Sequence, residues 1–497
     1  MRIPPRLREM SPGVFLACAI ALYLLWSVPL LLKWPPPLAD EDLFASAART
    51  LLHQGYLGTT IVKGLESHVY WQPPVYFLVL APVIGVVGYS LTMLRLFSVL
   101  VSIGVIVLVF IIGLRLADPA VAKVAVFVLA LDPRFVNTAA FVRMDSLCVL
   151  FLLGALALYV APPFTGKSLN ALATGGALAL AALTHPLGLI GVTAFTLYVC
   201  VRSLTDKQER GRQLLLFVLP LVVGATLWGT YILQDPAGFL AQMKFQLARK
   251  DRPAILSILN VVRQYRLYPL SLAIPCAGLV YILYRAIRFQ GKAVPVAILY
   301  AALTIAVVTK YETPYHVYLA PLGALSASML ALEFWRSGGK VRRYLSVACL
   351  CSILVTSLLV FSTLNLVYHF QLADETNYDE FCEAVSHRLP ARATVIGWGT
   401  PSLYWGLYAQ RPDVGFRDIE FFDSLSASAL VKEVDYVVST RAFDPDDDET
   451  MLRQRREYLS VLCAENGAGL RFIVELGIKK RFAYSAEIYQ IVHGPER

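Results

Sequence analysis

Charge is what this sequence has least of. Only 16% of its 497 residues are Asp, Glu, Lys or Arg, against roughly 25% in soluble domains. With 57% hydrophobic residues and a mean hydropathy of +0.60, a soluble globular chain is excluded. Three further features are missing. No spacing of His, Cys, Asp and Glu argues for a metal, and no cofactor is expected. No internal repeat is visible, which removes a solenoid. No small-residue cleavage pattern follows the first apolar run, where Trp34, Pro35, Pro36 and Pro37 stand instead. That run follows Arg2, Arg6 and Arg8 and reads as an uncleaved first span with a cytoplasmic N-terminus.

What the chain does have is long apolar runs. Pro12 to Leu32, Leu214 to Leu233 and Leu345 to Phe361 reach or approach the roughly 20 residues that cross a hydrocarbon core. Placing each basic cluster inside gives about eleven crossings. The inside loops then hold Arg115 and Lys123; Lys167; Lys207, Arg210 and Arg212; Arg285, Arg288 and Lys292; and Arg336 to Arg343. The net charge of +9 is accounted for by these orienting loops, so no nucleic acid partner is expected. The outside segments carry most of the acidic groups able to do chemistry.

The fold class expected is an α-helical polytopic membrane protein with a small C-terminal α/β domain. Residues 1–370 form the membrane domain, in which 34–90 is a first extracytoplasmic loop with surface helices. Residues 371–497 read as an extracytoplasmic soluble domain, with a helix over Tyr378 to His387 and strands over Ala393–Trp398 and Val434–Ser439. Two more strands fall near Arg471–Gly477 and Ala483–Val492. Cys382 and Cys463 alone lie in polar sequence, and that compartment permits a disulfide; two unpaired thiols fit equally.

Asp40-Glu41-Asp42 opens a segment in which Phe44, Ala47, Ala48, Leu51 and Leu52 recur at helical spacing, so an amphipathic surface helix with carboxylates at its N-terminus is expected. Such residues also serve simply as caps. At the edge of a bilayer, however, a carboxylate can meet both a water-borne and a lipid-borne molecule, and Asp or Glu can act as a general base. Further along come Tyr70-Trp71-Gln72-Pro73-Pro74, whose prolines mark a bend before another helix, then Arg95-Leu96-Phe97 and Arg143-Met144-Asp145. Aromatics here also suit interfacial anchoring. Lys244, Arg249, Lys250 and Arg252 form an outside basic patch against the positive-inside trend, suited to a phosphate or to anionic head groups. Lys310 lies beside Tyr311 and Tyr315, and His185 sits at a helix end.

Together these segments resemble the GT-C superfamily of polytopic glycosyltransferases, among them the protein O-mannosyltransferases and the aminoarabinose lipid A transferases, over roughly Met1 to Leu330. The resemblance implies a polyprenyl-phosphate monosaccharide donor, inversion at the anomeric centre, and a lipid, glycan or protein acceptor outside the cytoplasm. It implies Asp40 as the catalytic carboxylate with Glu41 beside it and Asp145 as a second acidic position. Arg249 and Lys310 match the donor-phosphate cations, with Lys63 and Arg252 as further candidates. Tyr70, Trp71, Gln72, Arg143, His185 and Tyr315 are expected in the substrate pocket. The lipid A transferases often carry Lys where Gln72 and His185 stand, and Tyr where Phe44 stands. A transporter or flippase is the rival reading, and would call for ionisable residues near the bilayer midplane.

Overall fold

The computed structural model describes residues 11–32, 39–62, 65–205, 210–249, 254–265, 269–289, 291–309, 315–337, 339–344 and 346–348. Toward the C-terminus it describes 378–398, 411, 413–418, 431–440, 449–477 and 485–493, with Val355, Leu359, Trp405 and Leu407 as isolated positions. The helices in order are α1 (Pro12–Leu32), α2 (Ala39–Gln54), α3 (Val75–Val87), α4 (Leu91–Leu116), α5 (Pro119–Ala130), α6 (Pro133–Ala139) and α7 (Asp145–Val160). They continue as α8 (Lys167–Ala182), α9 (Pro186–Thr205), α10 (Arg210–Ile232), α11 (Pro236–Arg249) and α12 (Ala254–Tyr265). Then come α13 (Pro269–Phe289), α14 (Ala293–Thr309) and α15 (His316–Arg336). Proline opens many of them because at the first helical position its missing N–H has no partner to lose.

Among the described residues four helices are long and apolar enough to span a bilayer: Leu91–Leu116, Pro186–Ser203, Gly211–Ile232 and His316–Arg336. Five shorter apolar helices accompany them. The chain is a multi-pass helical membrane protein.

The chain divides into two units. The first comprises Met1–Val28, Tyr70–Tyr76 and Arg95–Ser362. At its centre α15 is largely buried and packs on α5, α6, α13 and α14, while α10 is peripheral and rests on α8. Small residues permit the close approaches that helix association in lipid requires. A Cβ placed on Gly278 of α13 would lie 2.8 Å from the Ala327 nitrogen of α15, and one on Gly175 of α8 would lie 2.0 Å from the Phe217 carbonyl of α10. Asp118 caps α5 by accepting from the amides of Ala120 (2.8 Å) and Val121 (3.1 Å), and its other oxygen meets Arg336 at 2.7 Å.

The second unit comprises Pro29–Val69, Phe77–Leu94 and Thr363–Arg497. Its C-terminal portion contains α16 (Tyr378–Ser386), β1 (Thr394–Trp398), β2 (Gly415–Asp418), β3 (Tyr436–Thr440), α17 (Glu449–Glu465), β4 (Ala468–Gly477) and β5 (Ser485–His493). The sheet order is β2-β1-β3-β5-β4, parallel at β2/β1 and β1/β3 and antiparallel at β3/β5 and β5/β4. The β4/β5 register slips between Phe472 and Val474. Ile396, Val437, Leu459, Leu462 and Tyr489 contribute to one core beneath α17. Cys463 lies in that core and Cys382 is also buried; both are free thiols, so of the two alternatives left open by the sequence the unpaired one is found. Arg411 terminates α16 by donating to the carbonyls of Ser386 and Leu389, and its fork also grips Asp413. That hydrogen bonding holds the Asp413 carboxyl well below the usual range.

Candidate functional site

The first turn of α2 carries Asp40, Glu41 and Asp42, where the helix dipole favours negative charge. Glu41 and Asp42 are fully buried, whereas Asp40 is half-buried and so the most accessible of the three. An amphipathic surface helix would leave one face open, but Leu43, Phe44, Ala45, Ser46, Ala47 and Ala48 are all buried. The first half of α2 beyond Asp40 is therefore embedded, and the helix is exposed at its end, at Leu52, His53 and Gln54. The Ser46 hydroxyl shares a 2.5 Å hydrogen bond with Thr59, and Phe44 meets Phe77 edge-on at 6.3 Å. Arg49 lies over the Tyr89 ring, which stacks on Trp405 at 4.4 Å. Gly55, at φ +77°, ends the helix in a conformation that side chains disfavour.

In the first unit, Asp145 begins α7 and its Oδ2 accepts from Arg143 Nε at 2.9 Å, with side-chain exposures of only 3% and 5%. His185 precedes α9. Its Nδ1 accepts from the Leu187 amide at 3.1 Å, so a neutral ring carries its proton on Nε2, which lies 3.8 Å from Asp145 Oδ1. That separation is electrostatic proximity and too long for a hydrogen bond. Tyr315 and Tyr318 each place a ring 5.9 Å from that of His185.

The Tyr70-Trp71-Gln72 segment is held beside this cluster. Gln242 of α11 accepts from the amides of Tyr70 (2.8 Å) and Trp71 (3.3 Å), and the Tyr70 ring sits 5.0 Å from Tyr231. The Val75 amide donates to the carbonyl of Leu183, two residues before His185, at 2.9 Å. The Nε1 of Trp71 and the Oε1 of Gln72 are buried with no hydrogen-bond partner among the described residues. Leaving such groups unsatisfied costs about 1–3 kcal/mol each, so they are suited to a polar ligand.

Arg249 closes α11, two turns beyond Gln242; its side chain, like all of Lys63, Arg252 and Lys310, lies outside the described residues. Sequence reading missed two contributors. One is Gln242. The other is Asp132, which caps α6 by accepting from Arg134 (2.9 Å) and Phe135 (3.2 Å) and turns its second oxygen to His316 Nε2 at 3.0 Å. Burial pushes the Asp132 carboxyl up, but the His316 charge and these hydrogen bonds outweigh it and hold the group below its ordinary value.

The family model for dolichyl-phosphate-mannose-protein mannosyltransferases matches residues 71–228. ArnT from Cupriavidus metallidurans, solved bound to undecaprenyl phosphate, aligns with 96% of this chain and 97% of its own at 14% identity and a TM-score of 0.57. The chain has a GT-C fold. The archaeal oligosaccharyltransferase AglB from Archaeoglobus fulgidus, solved with an inhibitory peptide and a dolichol-phosphate, shares this GT-C architecture over 86% of the chain and 69% of its own. There the identity is 11% and the TM-score 0.56. No curated protein matches the chain by sequence.

Proposed function

We propose that the chain is an inverting glycosyltransferase that moves a monosaccharide, a hexose or pentose, from a polyprenyl-phosphate carrier to an acceptor outside the cytoplasm. The acceptor is a lipid, a cell-envelope glycan or a protein hydroxyl. Asp40 takes the proton of the acceptor hydroxyl, the freed oxygen attacks the anomeric carbon from the face opposite the leaving group, and the bond from that carbon to the phosphate oxygen breaks. Polyprenyl phosphate departs with the electron pair. Arg249 and Lys310, with Lys63 and Arg252, bind that phosphate, since a leaving group of this kind is aided most by nearby positive charge. Glu41 and Asp145 complete the acidic set, and Tyr70, Trp71, Gln72, Arg143, His185 and Tyr315 line the sugar and acceptor pocket.

The observation that carries this reading is the carboxylate arrangement on a GT-C fold. Asp40 is half-buried, its chain neighbours Glu41 and Asp42 are fully buried, and a chain-long structural neighbour was solved with a polyprenyl phosphate. A transport path is less well supported, because in the four long apolar helices the ionisable residues fall within five positions of an end. We place the protein in the cell membrane, with about eleven spans, the N-terminus in the cytoplasm and residues 371–497 outside, on the distribution of Lys and Arg.

The test is mass analysis of glycolipids and envelope glycans from cells with the chain, without it, and with Asp40→Asn. A glycosylated species should vanish in the second and fall about 10²–10⁴-fold in initial rate in the third. A normal rate from a correctly inserted Asp40→Asn protein overturns the role of Asp40.

A further inference from the structure

Within the second unit, α2 and α3 run side by side. Phe44 meets Phe77 edge-on at 6.3 Å, and a Cβ placed on Gly85 would lie 3.6 Å from Leu52. From Phe44 to Leu52 and from Phe77 to Gly85 the step is the same eight residues, about 12 Å of helix, so the two helices are parallel and advance in one register. Gly88, at φ +78°, ends α3, its amide donating to the Ile84 carbonyl at 2.9 Å. Tyr89 follows, and the Arg49 guanidinium of α2 lies 5.6 Å from the centroid of its ring. A cation held over an aromatic face is attracted by the ring quadrupole, so this contact fastens the later turns of α2 to the end of α3.

The same ring is where the C-terminal portion reaches these helices. Trp405, between β1 and β2 in the sequence, stacks on Tyr89 with centroids 4.4 Å apart and planes 22° from parallel. Trp405 is 5% exposed, and its indole N–H is buried with no hydrogen-bond partner among the described residues. A buried tryptophan ordinarily finds a partner for that group. What this position uses is therefore the flat face of the ring and not its polar atom.

Arg49, Tyr89 and Trp405 form a continuous set of contacts from the C-terminal portion to α2. Asp40 lies nine residues before Arg49, about 14 Å along the same helix. A helix transmits a shift at one end to the other, and misplacing a reacting group by about 1 Å can cost about 10²-fold in rate.

We infer that Trp405 is a positioning residue: through Tyr89 and Arg49, the C-terminal portion fixes the helix that carries Asp40, and with it the carboxylate. The part played by Asp40 rests on the glycosyltransferase reading; the coupling of Trp405 to α2 does not.

Hydrogen exchange on the purified full chain tests the coupling without any transfer reaction. In Trp405→Ala the amides of residues 43–48 should exchange about tenfold faster than in the wild type while those of β3 and β5 keep their wild-type rates, and Trp405→Phe, which retains a ring, should restore protection. Tyr89→Leu breaks the same stack from the helix side and should give the same acceleration; it decides the matter if Trp405→Ala also loosens β3 and β5. In the mass assay of glycolipids and envelope glycans, the initial rate should fall about 10–10²-fold in Trp405→Ala and Tyr89→Leu and stay within about twofold of the wild type in Trp405→Phe. Unchanged exchange over residues 43–48 in Tyr89→Leu would overturn the coupling, and faster exchange with an undiminished rate would overturn the positioning of Asp40. A wild type that transfers no sugar would strike the role of Asp40 alone, with exchange still deciding whether Trp405 holds α2.

Discussion

Consider the Arg143–Asp145 pair in a double-mutant cycle built from Arg143→Gln, Asp145→Asn and the two together. The contact is 2.9 Å long and both side chains are almost entirely removed from solvent. At an effective dielectric of about 20, two unit charges at that distance attract by about 6 kcal/mol. Most of this is offset by desolvation, so the pair as a whole adds little stability. Removing one partner alone is different, because the other is left charged and buried; the expected cost is about 3–5 kcal/mol for each single variant. The double variant strands neither charge and should recover at least half of that loss. Reversible unfolding in mixed micelles supplies the four stabilities, and transfer activity measured on the same four proteins separates two roles. If the two groups act only as a buried structural pair, activity returns with stability in the double variant. If either side chain also contacts substrate, stability returns and activity does not. Additive single-variant losses, with a coupling below about 0.5 kcal/mol, would refute the claim that these groups form one buried unit.

Two further outcomes follow from the hydrogen bonds. Asp132→Asn keeps the helix cap but removes the charge facing His316. Because the folded carboxyl titrates below its unfolded value of about 3.9, its stabilisation is present above about pH 4 and fades as pH falls through the lower folded value. The gap in unfolding temperature between wild type and variant should therefore narrow below about pH 4, and a gap independent of pH would count against the pairing. Gln242→Ala removes the acceptor of two amides at about 1–3 kcal/mol, so hydrogen exchange at Tyr70 and Trp71 should accelerate about 10–100-fold; unchanged exchange would mean the segment is held by something else.

Much of this architecture is legible in the chain because lipid enforces a simple grammar: apolar runs, prolines at helix starts and basic loops between them. In the C-terminal portion, α16, β1, β3, β4 and β5 fall close to where apolar alternation puts them. The strand β2 escapes because its four residues, Gly415 to Asp418, include a glycine and two charges and carry no alternation. The burial of α2 could not be read either: small residues such as Ala45 and Ser46 look like an exposed face in a periodic pattern, yet their size is what lets neighbouring elements close over them. The Asp132–His316 contact joins residues 184 positions apart, a distance no spacing rule covers, although Asp132-Pro133 is a recognisable helix start. Gln242 offered no signal, since a glutamine amid an amphipathic helix reads as ordinary polar surface.

The register slip in β4 has a consequence for how this protein survives at high concentration. β4 is a ten-residue strand at the rim of its sheet with Phe472 more than half exposed, a combination that invites a second molecule to add on by backbone pairing. The slip divides that rim into runs of five and four residues that do not share one hydrogen-bonding line. A visiting strand can zip along either run and then meets mismatched partners, so intermolecular sheet growth stalls where it would otherwise propagate.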